Sequence, residues 1–226
     1  EIRRGDWSSD VCSSDLGAKN IPVRGGNRDY TVTVQNTDVL SIDIDLSSPI
    51  DMGNLVVKPK QKGETTITVK DNVTNETVDL KIKIVDSYLN LKVAHPAQVP
   101  YTGGENLFFI NNSDRDFYLF DEKMEKKECT GNYQFLIKNS TCYMILNFDK
   151  ELNDKSTYEY NISNTSERMF TLIEILLGID WNMKTDLINR STRSASPVTM
   201  NAVDTETNII QYFVAGSNDI PENILD

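Results

Sequence analysis

Lys62-Gly63-Glu64-Thr65-Thr66-Ile67-Thr68-Val69-Lys70-Asp71 alternates apolar and polar side chains behind a glycine, at the two-residue period of a strand with one dry and one wet face. Gly63 permits the turn into this strand; Thr66, Thr68 and Lys70 face water, and Ile67 and Val69 enter a core. Three further segments repeat the pattern. Tyr30, Val32 and Val34 alternate with Thr31, Thr33 and Gln35, and Ile42, Ile44 and Leu46 with Ser41, Asp43, Asp45 and Ser47. Val78, Leu80, Ile82 and Ile84 alternate with Asp79, Lys81 and Lys83. Turn formers separate the segments: Gly25-Gly26-Asn27, Ser47-Ser48-Pro49, Lys62-Gly63 and Asp71-Asn72. The spacing predicts an antiparallel β-sandwich over residues 17–86.

Gly25-Gly26-Asn27 followed by Tyr30-Thr31-Val32-Thr33-Val34, then Asp38-Val39 and the Lys62–Asp71 stretch, resembles the bacterial immunoglobulin-like domains of the group 2 type. The resemblance covers about a third of the chain. It implies a spacer or adhesive module, of the kind found in surface lipoproteins of gut Gram-negative anaerobes. The first strand of the pattern is cut short near residue 17.

Upstream, Asp6–Leu16 reads DWSSDVCSSDL, which resembles one translated frame of a common short-read sequencing adapter. Residues 1–16 are therefore set aside from fold reasoning as foreign sequence. The native amino terminus, with any signal peptide, lipidation cysteine or earlier domain, is expected to have stood in their place. Arg4-Gly5-Asp6 spells an adhesion tripeptide but straddles this junction. Cys12 and Trp7 leave the census with it, so Cys129, Cys142 and Trp181 are the native thiols and tryptophan.

After Asp86 the composition shifts and aromatics become dense. Tyr88–Val93, Asn106–Ile110, Asp116–Phe120, Tyr133–Ile137, Cys142–Phe148 and Thr157–Ile162 read as strands, closed by turns such as Asn111–Asp114 and Asn139–Thr141. His95 to Pro100 reads as a linker or crossover. Residues 166–178 carry a helix pattern: Ser166 and Glu167 open it, Phe170, Ile173 and Leu177 follow at helical spacing, and Gly178 closes it. Ile173 with Ile175, Leu176 and Leu177 also fits a buried strand. Pro197–Val203 and Thr207–Val214 form a hairpin. The expectation for residues 87–226 is a second β domain, again sandwich-like, with one short helix; no family resemblance attaches to it.

Charge and composition narrow the partners. The formal charge is −11, or −9 without the foreign segment, with no cluster of Lys and Arg to track a phosphate backbone, so nucleic acid is excluded as a partner class. No run approaches the roughly 18 apolar residues of a membrane helix, and an acidic chain is repelled by anionic lipid, so membrane attachment is expected only through a lost N-terminal lipid anchor.

The candidate sites follow from residue type. His95 is the single histidine and sits beside a proline, so no triad, HExxH helix or zinc cluster can be assembled, and no catalytic, cofactor or metal residue is assigned. Asp43 with Asp45 and Asp114 with Asp116 are the carboxylate pairs a hydrolase would need, set against the simpler reading of solvated strands and turns. The Asn111–Asp116 turn offers oxygens but lacks the glycine and terminal glutamate of an EF-hand loop. Cys129 and Cys142 are the one candidate disulfide, which adjacent-strand geometry disfavours. Tyr158 and Tyr160 share a strand face that would stack on sugar rings if exposed, and would pack a core if not. Asn72, Asn139 and Asn161 begin Asn-x-Ser/Thr triplets, which are glycan acceptors only in a host with that machinery. The leading expectation is a non-enzymatic extracytoplasmic or cell-surface protein, periplasmic or anchored at the outer membrane as a lipoprotein, whose partners are surface proteins or glycans. A glycan-binding module of a nutrient-capture system comes second, and a hydrolase third.

Overall fold

A computed structural model describes residues 10–13, 18–47, 51–125, 127–181, 198–217 and 221. The chain divides into two compact units between Asp86 and Ser87.

The first unit contains β1 (Asp10–Ser13), β2 (Lys19–Val23), β3 (Tyr30–Val34), β4 (Leu40–Asp45), β5 (Gly53–Pro59), β6 (Gly63–Asp71) and β7 (Thr77–Val85). They form a four-stranded sheet, β1-β7-β6-β3, and a three-stranded sheet, β2-β5-β4. Both sheets feed one core: Ile67, Val69, Leu80, Ile82 and Ile84 from the first, and Ile21, Leu40, Leu55 and Val57 from the second. Strand β6 has the phase its alternation predicts, with Ile67 fully buried and Thr66, Thr68 and Lys70 half-exposed.

Strands β2 and β5 add to the four segments legible by alternation. In β5 Leu55 and Val57 point inward, but Val56 between them is apolar too and hides the period. In β2 a proline interrupts the run; an edge strand tolerates Pro22 because one side of its backbone needs no ladder bond. β1 lies within the segment set aside from sequence. It pairs in parallel with β7, Asp10 opposite Ile82 through Ser13 opposite Val85, whereas all other described pairings are antiparallel. A sheet edge offers main-chain donors and acceptors to any extended segment, whatever its side chains.

The second unit contains β8 (Tyr88–Val93), β9 (Asn106–Ile110), β10 (Asp116–Phe120), β11 (Lys127–Lys138), β12 (Thr141–Leu152), β13 (Lys155–Asn161), α1 (Glu167–Leu177), β14 (Thr199–Asp204) and β15 (Ile210–Ala215). Here the expected second sandwich is corrected: the eight strands form a closed barrel in which β8 pairs with both β9 and β15. Alternation shows that one strand face is buried, and that is equally true of a face packed on a second sheet and of one curled on itself. Inward residues include Leu91, Phe109, Phe117, Met144, Leu146, Tyr160, Met200 and Phe213, all fully buried. Outward residues include Gln134, Asn147, Glu159 and Asn201, beside Tyr143, Ile145 and Tyr212. No described helix is long and apolar enough to cross a membrane. Closure is uneven: β13 and β14 share two residue pairs, and β8 and β15 share three.

The helix reading of residues 166–178 holds over the strand alternative. Met169, Phe170, Ile173 and Leu177 are buried on one stripe while Ile175 is 51% exposed, and Gly178 takes the left-handed conformation and donates its N–H to the Glu174 carbonyl. The carboxyl end of α1 is clamped at one mouth of the barrel. Ser87 Oγ donates to the Leu176 carbonyl at 2.6 Å, and the Arg115 guanidinium donates to the Leu177 carbonyl at 2.5 Å and to Asn111 Oδ1 at 2.6 Å. A cation on the final carbonyls also complements the helix dipole. Replacing Arg115 by leucine should therefore lower barrel stability by about 2 kcal/mol, the usual loss for hydrogen bonds to a charged group; an unchanged denaturant midpoint would show that the clamp is idle.

Candidate functional site

The structure places the sequence-flagged residues as follows. Tyr158 and Tyr160 do share one face of β13, but it is the barrel interior: they are 5% and 0% exposed. Their rings stack on each other at 6.1 Å and 9°, Phe148 meets Tyr158 edge-on, and Tyr158 donates its hydroxyl to the Leu152 carbonyl at 2.6 Å. The exposed aromatic row that sugar stacking requires is thus absent at these two positions. Tyr118 and Tyr143 are half-buried, each beneath a lysine, Lys127 and Lys138 respectively.

The disulfide considered from sequence between Cys129 and Cys142 is not formed. Cys142 opens β12 opposite Ile137, whereas Cys129 lies near the start of β11 opposite Leu119 of β10, so the two sit at opposite ends of their hairpin. Burial pushes the Cys142 thiol upward, which keeps it protonated and unreactive.

The carboxylate pairs do not face one another across a cleft. Asp43 pairs with Lys58 at 2.6 Å, and Asp45 accepts the Ser47 N–H. Asp116 accepts from Asn112 Nδ2 at 2.7 Å, and the Asn111 amide oxygen is taken by Arg115, so the turn's oxygens are engaged internally rather than turned toward a cation. His95 is exposed and lies against the Gly103 backbone; a Cβ at Gly103 would fall 2.3 Å from its Nδ1. Among the described residues no group of three or more His, Cys, Asp or Glu is placed to hold a metal.

The features sequence reasoning missed lie at the mouth of the barrel opposite α1. The connection between β8 and β9 covers it. Gln211 holds this connection, its Nε2 donating to the Gln98 and Val99 carbonyls at 2.7 and 3.0 Å. Tyr101 points inward from the connection, 4% exposed, edge-on to Phe213 at 5.7 Å. Burial drives the hydroxyls of Tyr101 and Tyr160 far upward, so both remain protonated. At the same end, beyond the last ladder pair Gly131–Phe148, a cleft of about 240 Å³ opens between β11 and β12, lined by Lys127 to Thr130 and by Asp149 and Lys150. Its charges balance, and Thr130 Oγ1 donates to Asp149 Oδ2 across it.

Three buried carboxylates cap turns. Asp71 accepts from the N–H groups of Asn27, Val73 and Thr74 and from Asn27 Nδ2. Glu105 accepts from Thr102 N and Oγ1 and from Gly103 N, and Asp204 from the N–H groups of Glu206 and Thr207. Desolvation pushes each carboxyl up, but these donors together outweigh it and hold all three below the usual range. A depressed folded pKa contributes stability that is complete above the unfolded value, near 4, and is lost as pH falls through the folded value. Both units should therefore weaken as pH drops below about 4, and Asp71→Asn with Asp204→Asn should flatten that slope; identical midpoints at pH 7 and pH 3 in the parent chain would refute it.

No protein-family model matches the chain, and no curated protein sequence matches it. Solved structures with partial likeness are portions of a surface-layer protein. "Structure of the S-layer protein SbsC, domains 5-6" aligns with a TM-score of 0.30 at 14% identity, over 72% of this chain and 88% of that one. "Structure of surface layer protein SbsC, domains 4-9" aligns with a TM-score of 0.28 at 13% identity, over 69% of this chain and 30% of that one. At such scores the architecture rests on this chain's own strands and core.

Proposed function

We propose that this chain is a non-catalytic extracytoplasmic protein in which an immunoglobulin-like spacer or contact module precedes a barrel whose large side chains are committed to its own core. The observation that carries the reading is the filled barrel. Its inward positions are occupied by packed aromatics and aliphatics, one mouth is plugged by α1, and the other is covered by the connection bearing Tyr101. A glycan-binding or hydrolytic barrel needs an open, concave face with convergent polar groups. The aromatics that would have stacked on sugar are inside, and the carboxylates that would have acted as acid and base are engaged in turns and ion pairs.

In the first unit two small sheets share one core, and the group 2 pattern from Gly25 to Asp71 runs through it, which supports the immunoglobulin-like assignment. Surface display as a lipoprotein fits the acidic charge and the polar exterior. The test is protease treatment of intact cells of the source bacterium, followed by blotting with antibody raised against residues 17–226. Loss of the band from intact cells is expected, and protection until the cytoplasmic membrane is breached would overturn the proposal.

A further inference from the structure

We infer that the loop end of the first unit opposite Asp86 is a contact surface for a second copy of this chain, docked tip to tip about a twofold axis. Three connections meet at that end, β2 to β3, β4 to β5 and β6 to β7: Val23 pairs with Gly53, Asp45 with Asn54, Tyr30 with Asp71, and Lys70 with Thr77. Among the described residues, the large apolar side chains that the first unit exposes are Leu46, Met52 and Val73, at 37%, 40% and 62%. All three stand on these connections. The other end, where the chain leaves through Val85 to Asp86, turns through residues 35–38 and 60–62, which are polar and exposed. Single exposed apolar residues are ordinary, but their confinement to one end marks an interaction surface.

The tip is held in shape before any partner arrives. Asp71 joins the β2–β3 and β6–β7 connections through Asn27, Val73 and Thr74, Asn72 Nδ2 donates to Asp29 Oδ1 at 2.8 Å, and the Arg28 guanidinium donates to the Leu46 carbonyl. Gly26 fits under this network with no room for a side chain: a Cβ there would fall 2.7 Å from the Tyr30 ring and 2.9 Å from Asp71 Oδ2. Loops fixed in this way lose little conformational entropy on docking. Charge selects a copy of the same surface. Arg24, Arg28, Asp29 and Glu76 are exposed on these connections, so the tip carries both signs, and a twofold-related copy sets cation against anion around an apolar centre. Three loop tips fall at the small end of interfaces, below the roughly 1,200 Å² buried in stable complexes, so the contact is weak and concentration-dependent.

The test is sedimentation equilibrium of the full chain, kept reduced so that no thiol links two copies, over a concentration series reaching about 1 mM. The parent should pass from monomer toward dimer, and Met52→Glu with Val73→Glu should weaken the association by about tenfold or more. Thr33→Lys, which charges the edge strand β3, and Tyr212→Glu, on the barrel exterior, should leave it unchanged. A mixture of light and isotope-heavy copies, with a photoreactive phenylalanine derivative in place of Val73, reads the contact in a chain of unaltered charge. Its mixed-isotope cross-links should fall on residues 24–29, 46–52 and 72–76. A parent that stays monomeric throughout, a dimer that Thr33→Lys or Tyr212→Glu breaks, or cross-links outside the three connections would overturn the inference. Sedimentation of the purified chain does not bear on where the protein resides, so this contact and the proposed function fail independently.

Discussion

Gly131→Ala is expected to unfold the barrel. A Cβ at this position would lie 1.9 Å from the Asn147 carbonyl oxygen and 2.8 Å from the Phe117 ring. The first of these atoms is backbone in the paired strand β12, and Phe117 is fully buried with its ring edge-on to Phe148 at 5.0 Å, so neither can step aside. Gly131 is where β11 leaves the β12 ladder and continues along β10 alone, and the absent side chain lets the two backbones close. Relief would have to come from parting β11 and β12, and a loss of about 3 kcal/mol or more is expected, the upper range for overpacking. In a chain beginning at Gly17, Trp181 is the sole tryptophan; it is 4% exposed and edge-on to Phe170, so its fluorescence in a denaturant titration reports on this unit alone. A midpoint within error of the parent would refute the close approach.

Replacing Tyr158 and Tyr160 together by alanine should be as severe. Both rings lie in the same interior layer, and removing a buried aromatic typically costs about 3 to 5 kcal/mol, with the shared cavity making the pair less than additive. Calorimetric unfolding beside a polysaccharide retention gel separates the two roles these residues were given. Collapse of stability, with no retention by the parent, follows from the barrel interior. Full stability with lost retention would mean that the rings face a ligand.

The strand series of the second unit was legible because β12 alternates from Cys142 to Phe148 and β13 from Tyr158 onward: Tyr158 and Tyr160 inward, Tyr143 and Ile145 outward. The helix was legible because Ser166 and Gly178 bracket an apolar stripe of period 3.6. Closure was not, since the bond between β8 and β15 joins residues more than a hundred positions apart and leaves no local mark on either strand. β5 was missed because Val56 is apolar on the outer face, and β2 because Pro22 breaks the run. The tyrosine mouth was hidden for a related reason: Tyr101, Gln98 and Gln211 come together only when the first and last strands of the barrel do. Gly131 carried no turn signal, because the demand for it comes from the Asn147 carbonyl across the sheet.

The short β8–β15 seam has a mechanical consequence. The polypeptide enters the barrel at Tyr88 and leaves it at Ala215, on neighbouring antiparallel strands with both points at the same mouth. Tension applied through Ser87 and Gly216 therefore meets the seam end-on: it peels apart Gly216–Asn90 first and then each rung toward Tyr212–Ala94, rather than loading all rungs in shear. A barrel threaded this way meets tension one rung at a time, however dense its core. In a chain under traction it would act as an extensible fuse, paying out its length before the load reaches whatever holds the far end.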